Sequence, residues 1–146
     1  MSRVETVELA VLCLVRRGDY YLLQDRVKKD WKGFALPGGH IEKDESIVDA
    51  VIREMKEETG LTIHNPRLRG IKQFQGDEGR YLVFLFETQE FSGELTSSDE
   101  GKMHWIHKEE LSTIKTVSDF EELIKVILDD SLTEFLYDAQ WKVILK

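Results

Sequence analysis

Between Gly39 and Leu61 the sequence reads GHIEKDESIVDAVIREMKEETGL. Three of its glutamates, Glu54, Glu57 and Glu58, stand at i, i+3 and i+4, a spacing that gathers them on one side of a helix. Like charges so placed repel by about a few tenths of a kcal/mol per pair. Glu57 and Glu58 also fall in the last helical turn, where the backbone dipole is already negative. A helix that accepts both penalties gains something from clustered carboxylates, or else simply presents a solvated acidic face. Three neighbours favour the first reading. Gly38-Gly39 lets another piece of chain approach closely, Arg53 can grip a carboxylate or a phosphate bidentately, and Glu45 is placed to fix Arg53 or the glycine loop. Carboxylates on a rigid helix are hard oxygen ligands, suited to Mg²⁺ or Mn²⁺ shared with substrate phosphates.

The elements that must hold these residues are legible in the patterning. Ile47 to Thr59 contains no Gly or Pro, with Asp44 or Ser46 as N-cap and Gly60 where a left-handed C-terminal residue belongs. On a wheel of about 100° per residue, Val48, Val51, Ile52 and Met55 form its core side. Val7 to Val15, a turn at Arg16-Arg17-Gly18-Asp19 and Tyr20 to Gln24 read as strand, turn, strand. Arg26 to Lys32 reads as a loop, Phe34-Ala35-Leu36 as a short extended piece stopped by Pro37-Gly38-Gly39. Leu68 to Gln75 and Tyr81 to Glu90 pair around Gly76-Asp77-Glu78-Gly79, and a loop from Ser92 to Lys102 leads to a strand at Met103 to Ile106. Phe120 to Leu128 has helical spacing, and Phe135 to Tyr137 with Trp141 to Leu145 suggest a terminal hairpin. Strands interrupted by one central and one late helix predict an α/β fold, a mixed sheet covered by helices.

Composition narrows the class. The chain has 146 residues, fitting one domain over 1–146, with 41% apolar and 33% charged residues, which excludes collagen-like and disordered chains. Its 20 basic and 28 acidic residues sum to −8, a poor balance for non-specific nucleic-acid binding. A polyanionic small molecule remains compatible if metal neutralises the site. Cys13 is the single cysteine, so no internal disulfide forms, and its apolar context reads as a buried strand thiol. No apolar run reaches membrane-spanning length and the first residues lack a signal-peptide pattern, so a soluble cytoplasmic setting without membrane partners is expected.

Gly39, five residues, Glu45, seven residues, then Arg53-Glu54-Met55-Lys56-Glu57-Glu58-Thr59-Gly60-Leu61 resembles the Nudix box, Gly-x5-Glu-x7-Arg-Glu-U-x-Glu-Glu-x-Gly-U with U apolar. All nine specified positions match, Met55 and Leu61 at the apolar ones. The length and element order resemble the compact MutT-like nucleoside triphosphate pyrophosphohydrolases. The resemblance implies an α/β/α sandwich around a mixed sheet and cleavage of a phosphoanhydride in a nucleoside diphosphate linked to another group. It further implies divalent metal on Glu54, Glu57, Glu58 and the Gly38 carbonyl, with Arg53 and Glu45 holding the loop and carboxylates in place. Family members often add an acidic residue from a later loop. Here Asp99-Glu100 supplies one, so Glu100 is a candidate extra ligand or base, or both residues are solvated loop charges. Glu57 and Glu100 are the alternatives for the group that takes a proton from water.

Substrate contacts are expected from Arg26 or Lys32 on phosphate and from Gly39 in the glycine loop. Phe34, Phe74, Tyr81 and Phe84 supply aromatic surface that serves either the core or a base. Asp119 is either the cap of the second helix, a role shared with Ser118, or a contact to an oxidised purine, as a polar residue of this region makes in MutT-like enzymes. The proline that ADP-ribose-type members usually carry beyond the box is replaced in that region by Gly76, Tyr81 is out of register for a dinucleoside-polyphosphate signature, and no coenzyme A signature is present. These features lean towards a nucleoside triphosphate, with 8-oxo-dGTP as an example. The competing classes are hydrolysis of ADP-ribose or a dinucleoside polyphosphate, a non-catalytic nucleotide sensor, and an interaction domain with a coincidental acidic helix. The apolar tail from Phe135 to Leu145 could pack on a second copy to give a homodimer.

Overall fold

Alternation of period two makes the first apolar run a strand with two buried faces. The structure, a computed structural model, describes residues 2–29 and 31–146. In β1 (Val7–Arg17), Val11, Cys13 and Val15 point into one core while Ala10 and Leu14 point into the other. A strand used on both faces belongs at the centre of a sheet, and β1 is central. It pairs in parallel with β7 (Gly79–Thr88), and its far end turns at Gly18 into β2 (Tyr20–Arg26).

The remaining elements build outward from this pair. β6 (Arg67–Gly76) lies antiparallel to β7, β10 (Glu134–Tyr137) parallel to β6, and β11 (Val143–Leu145) antiparallel to β10. On the other side β2 carries β3 (Gly33–Ala35) and β9 (Gly101–His107), and β4 (Gly38–His40) adds to β1. The result is a mixed sheet of nine strands, with a separate pair formed by β5 (Thr62–His64) and β8 (Glu90–Ser92). Helix α1 (Ile47–Thr59) covers one face through Val51 and Met55, and α2 (Phe120–Leu128) covers the other through Phe120, Leu123, Ile124 and Ile127. This is the expected α/β/α sandwich. No helix among the described residues is long and apolar enough to cross a membrane.

Both helices run between the expected residues. Ser46, rather than Asp44, caps α1, its Oγ accepting from the Asp49 N–H at 3.2 Å, and Gly60 closes it at φ 79°. Three expectations fail locally. Val48 is 46% exposed, and its place on the buried side is taken by Ala50 and Glu54. Neither Ser118 nor Asp119 caps α2 through its side chain. Asp119 has a left-handed backbone (φ 61°) and turns its carboxylate away to accept the Tyr137 hydroxyl at 2.8 Å. The terminal hairpin forms, but Phe135 is fully buried on β10, between β6 and the edge strand β11, so the tail completes this chain's own sheet. Gly38-Gly39, expected to end a strand, is itself strand: β4 pairs with Ala10–Leu12.

Candidate active site

The carboxylate cluster is organised by one guanidinium. Arg53 donates from Nε to Glu45 Oε2 at 2.8 Å and from Nη2 to Glu45 Oε1 at 3.0 Å, a forked pair. Its Nη1 donates to Glu54 at 3.0 Å and to Glu57 at 3.2 Å, and Nη2 also reaches the His40 carbonyl at 3.0 Å. Arg53 thereby ties the start of α1, its acidic ridge and strand β4 together. The hydrogen bond from Arg53, helped by the Glu42 N–H, holds the Glu45 carboxyl down at about 2.

Glu54 is the buried member, only 8% exposed, and lies against β4, where a Cβ on Gly39 would run into its carboxylate. Burial pushes its pKa up, Arg53 opposes this, and the negative charges of Glu57 and Glu58 add to the rise. The neighbouring Gly38 packs against the Val11 carbonyl and Leu12, so a side chain at either glycine would force β4 away from β1 or from α1. Glu57 is the exposed member, its side chain 56% accessible. Glu58 is fixed from the sheet, accepting from Gln24 Nε2 at 2.9 Å and from Ser98 Oγ at 2.7 Å.

The glycine strand also walls a cleft of about 460 Å³ on the sheet. Gly38, Gly39 and His40 line one end, with Arg26, Lys28 and Glu100 also in the lining; Val83 and Tyr81, whose hydroxyl lies 3.3 Å from His40 Nε2, lead across the sheet to Phe74 and Lys72 at the far wall. Arg26 is held with its guanidinium 4.5 Å from the Trp31 ring centre. Lys28 Nζ lies 3.4 Å from Glu100 Oε1, and the Glu100 N–H donates to Ser98 Oγ at 3.2 Å. Phe74 and Tyr81 stack nearly parallel (7°) with ring centres 5.0 Å apart.

The structure therefore brings Glu45, Arg53, Glu54 and Glu57 into one hydrogen-bonded group next to Gly38 and Gly39, with Glu58 on the same helix. It places Arg26, Tyr81 and Glu100 in the adjoining cleft. It does not line the cleft with Asp119, Phe84 or Lys32. Among the described residues no three acidic, imidazole or thiol side chains converge as a ready-made metal cage, and Arg53, Gln24 and Ser98 hydrogen-bond the ridge carboxylates. The donor set nevertheless fits a hard divalent cation. Glu54, Glu57 and Glu58 offer hard carboxylate oxygens from one helix, and of the nearly buried Glu54 oxygens only Oε1 is hydrogen-bonded, by Arg53. Sequence reasoning missed Gln24, Ser98, Lys28 and Lys72. Gln24 had a signal: it continues the apolar run Tyr21-Leu22-Leu23 as a strand residue only 1% exposed, and a buried amide needs a partner.

The family model described as NUDIX domain matches residues 6–127. The uncharacterized Nudix hydrolase YvcI of Bacillus subtilis is 31% identical over 134 residues, covering 88% of this chain and 78% of that protein. An ADP-ribose pyrophosphatase of Methanocaldococcus jannaschii is 35% identical over 97 residues, 64% of this chain and 57% of the relative. Among solved structures, the mutator MutT protein from Bacillus halodurans aligns with TM-score 0.76 and 32% identity over 94% of both chains. A family match over most of the sequence and a superposition over nearly all of it agree with the helix and glycine strand described above: the chain belongs to the Nudix hydrolase family, MutT-like in architecture.

Proposed function

We propose that this Nudix hydrolase cleaves a nucleoside triphosphate to the monophosphate and pyrophosphate, using Mg²⁺ or Mn²⁺, with an oxidised purine triphosphate such as 8-oxo-dGTP as candidate substrate. The observation that carries the reading is the junction at Gly39, where the acidic ridge of α1 meets a cleft with a basic rim and an aromatic far wall. Glu54, Glu57, Glu58 and the Gly38 carbonyl would hold the metal, with Glu100 as a further ligand. Bound there, a divalent cation neutralises phosphate oxygens and lowers the pKa of water.

The chain's own residues do the rest. Arg26 and Lys28 sit where a phosphate chain leaving the carboxylates would pass, and they offset its charge. The Phe74–Tyr81 stack offers an apolar plane for a base. Glu57, exposed at the end of the Arg53 network, or Glu100, in the lining of the same cleft, takes the proton as water attacks phosphorus. Arg53 and Glu45 position the ridge, and Gln24 and Ser98 position Glu58. The name of the Methanocaldococcus relative supports a second reading, ADP-ribose hydrolysis, which needs the same carboxylates and a different leaving group.

The test is product analysis with Mg²⁺ and a panel of normal and oxidised triphosphates, ADP-ribose and a dinucleoside polyphosphate, with pyrophosphate and phosphate measured separately. Monophosphate plus pyrophosphate from a triphosphate is the expected result. Glu57→Gln should keep the fold and lose turnover by about 10²–10⁴-fold if Glu57 is the base. Cleavage of ADP-ribose or the dinucleotide alone would replace the substrate assignment. Nucleotide-dependent thermal stabilisation without turnover would point to a sensor.

A further inference from the structure

The far wall of the cleft contains a cation that no carboxylate claims. Lys72 projects from β6 on the face that lines the cleft. Its ammonium is backed by three aromatic rings, with centroids at 4.9 Å for Phe135 and 5.8 Å for both Phe74 and Tyr137. Ring faces attract the charge but accept no ordinary hydrogen bond, and among the described residues Lys72 Nζ has neither a hydrogen-bond acceptor nor an ion pair. Burial lowers its pKa, and Asp119 opposes this from a distance. Asp119 itself does not line the cleft and is engaged by the Tyr137 hydroxyl.

Position decides what Lys72 can meet. The register runs Lys72 to Val83, Val83 to Ala10 and Ala10 to His40 across four adjacent strands. Three strand spacings of about 4.8 Å put Lys72 roughly 14 Å from β4 and the carboxylates behind it. That backbone separation leaves room for a nucleoside between Lys72 and a phosphate at Gly39, and the Phe74–Tyr81 stack bridges it, Phe74 beside Lys72 and the Tyr81 hydroxyl 3.3 Å from His40 Nε2 on β4.

We propose that Lys72 reads the base, its ammonium donating a hydrogen bond to a ring carbonyl oxygen. The cleft then selects nucleotides whose base carries a carbonyl at the purine 6 or pyrimidine 4 position, and rejects those with an amino group there, whose N–H would face N–H. This rests on the nucleotide reading of the cleft and moves base recognition from Asp119 to Lys72. Asp119 becomes a positioning residue, held by Tyr137 and supporting the charge from behind.

Inosine and adenosine 5′-monophosphate separate the base from the leaving group, because they differ at the 6 position and its neighbouring ring nitrogen and carry no scissile bond. Calorimetric titration of the whole protein with Mg²⁺ present should show the inosine nucleotide binding at least about tenfold more tightly. Lys72→Met should reduce that ratio to about twofold or less with the circular dichroism spectrum unchanged, and Lys72→Arg should keep most of it. Equal binding of the two by the unmodified protein, or a preference that survives Lys72→Met, overturns the proposal whether or not the variants fold well. Triphosphate turnover with equal binding retires the role of Lys72 alone. An inosine preference without triphosphate turnover retires the leaving-group assignment alone and supports Lys72. Binding of neither nucleotide overturns the role of Lys72 and leaves the leaving-group assignment to the product analysis.

Discussion

At the scale of single residues, Arg53 spreads one charge over Glu45, Glu54 and Glu57 and still reaches the His40 carbonyl. The pair with Glu45 has a defined pH signature. Glu45 titrates at about 2 in the folded chain against 4.5 for an ordinary glutamate. The stability it contributes is complete above pH 4.5 and is lost as pH falls towards 2. Thermal melts of Glu45→Gln should therefore lie below those of the parent at neutral pH and converge with them between pH 4.5 and 2. Glu54 has the opposite sign: its raised pKa means that its ionised form costs stability, a cost relieved as pH falls or as a cation binds. The Gln24 and Ser98 bonds to Glu58 make a different prediction. Removing either by alanine should weaken Mn²⁺ binding about 10–100-fold in a paramagnetic titration. Gln24→Ala should also lower stability, since Gln24 is buried, whereas Ser98→Ala should lower it less.

At the scale of elements, the acidic helix was the most legible part of the chain because cap, periodicity and terminating glycine all agree over Ile47–Thr59. Ser46→Ala should cost about 1 kcal/mol in urea unfolding, the usual effect of losing an N-cap. The wheel misplaced Val48 because it assumed that apolar residues define the buried side. Here a carboxylate, Glu54, occupies it, since the neighbouring strand brings Gly39 backbone in place of side chains. The same contact makes Gly39→Ala informative. A methyl group there meets Glu54, so turnover and metal binding should fall by at least about tenfold, with a smaller change in melting temperature. Asp119 was illegible for a related reason. Its type and place suggest a cap, but its partner Tyr137 comes from a strand formed much later in the chain, and only the tertiary fold reveals the competition.

At the scale of the whole molecule, the class of fold followed from the order of strands and helices, and the nine box positions marked the acidic helix and its glycines. Pairing did not follow: nothing local in Val7–Arg17 says that it joins Gly79–Thr88 in parallel, or that the terminal hairpin extends the same sheet beyond β6. Lys72 was lost with the pairing, because a lysine in the mixed strand RLRGIKQFQG acquires meaning only when Phe135 and Tyr137 arrive behind it. The two cores meet at β1, so damage there should not stay local. Leu14→Ala, at a fully buried site on the α2 side, should lower stability by about 2–5 kcal/mol in urea unfolding, with both faces lost in one transition.

The parallel pairing of β1 with β7 also has a kinetic consequence. Its partners are more than seventy residues apart, so a large loop must close before either strand is rewarded. Strand β4 hangs on β1 by three residue pairs, and Arg53 can clamp the ridge to the His40 carbonyl only after β4 has docked. Refolding should thus show early helix formation followed by a slower phase, and competence to bind Mn²⁺ should return with that second phase. Among newly synthesised chains, those with an assembled carboxylate ridge would be those that had already closed the sheet.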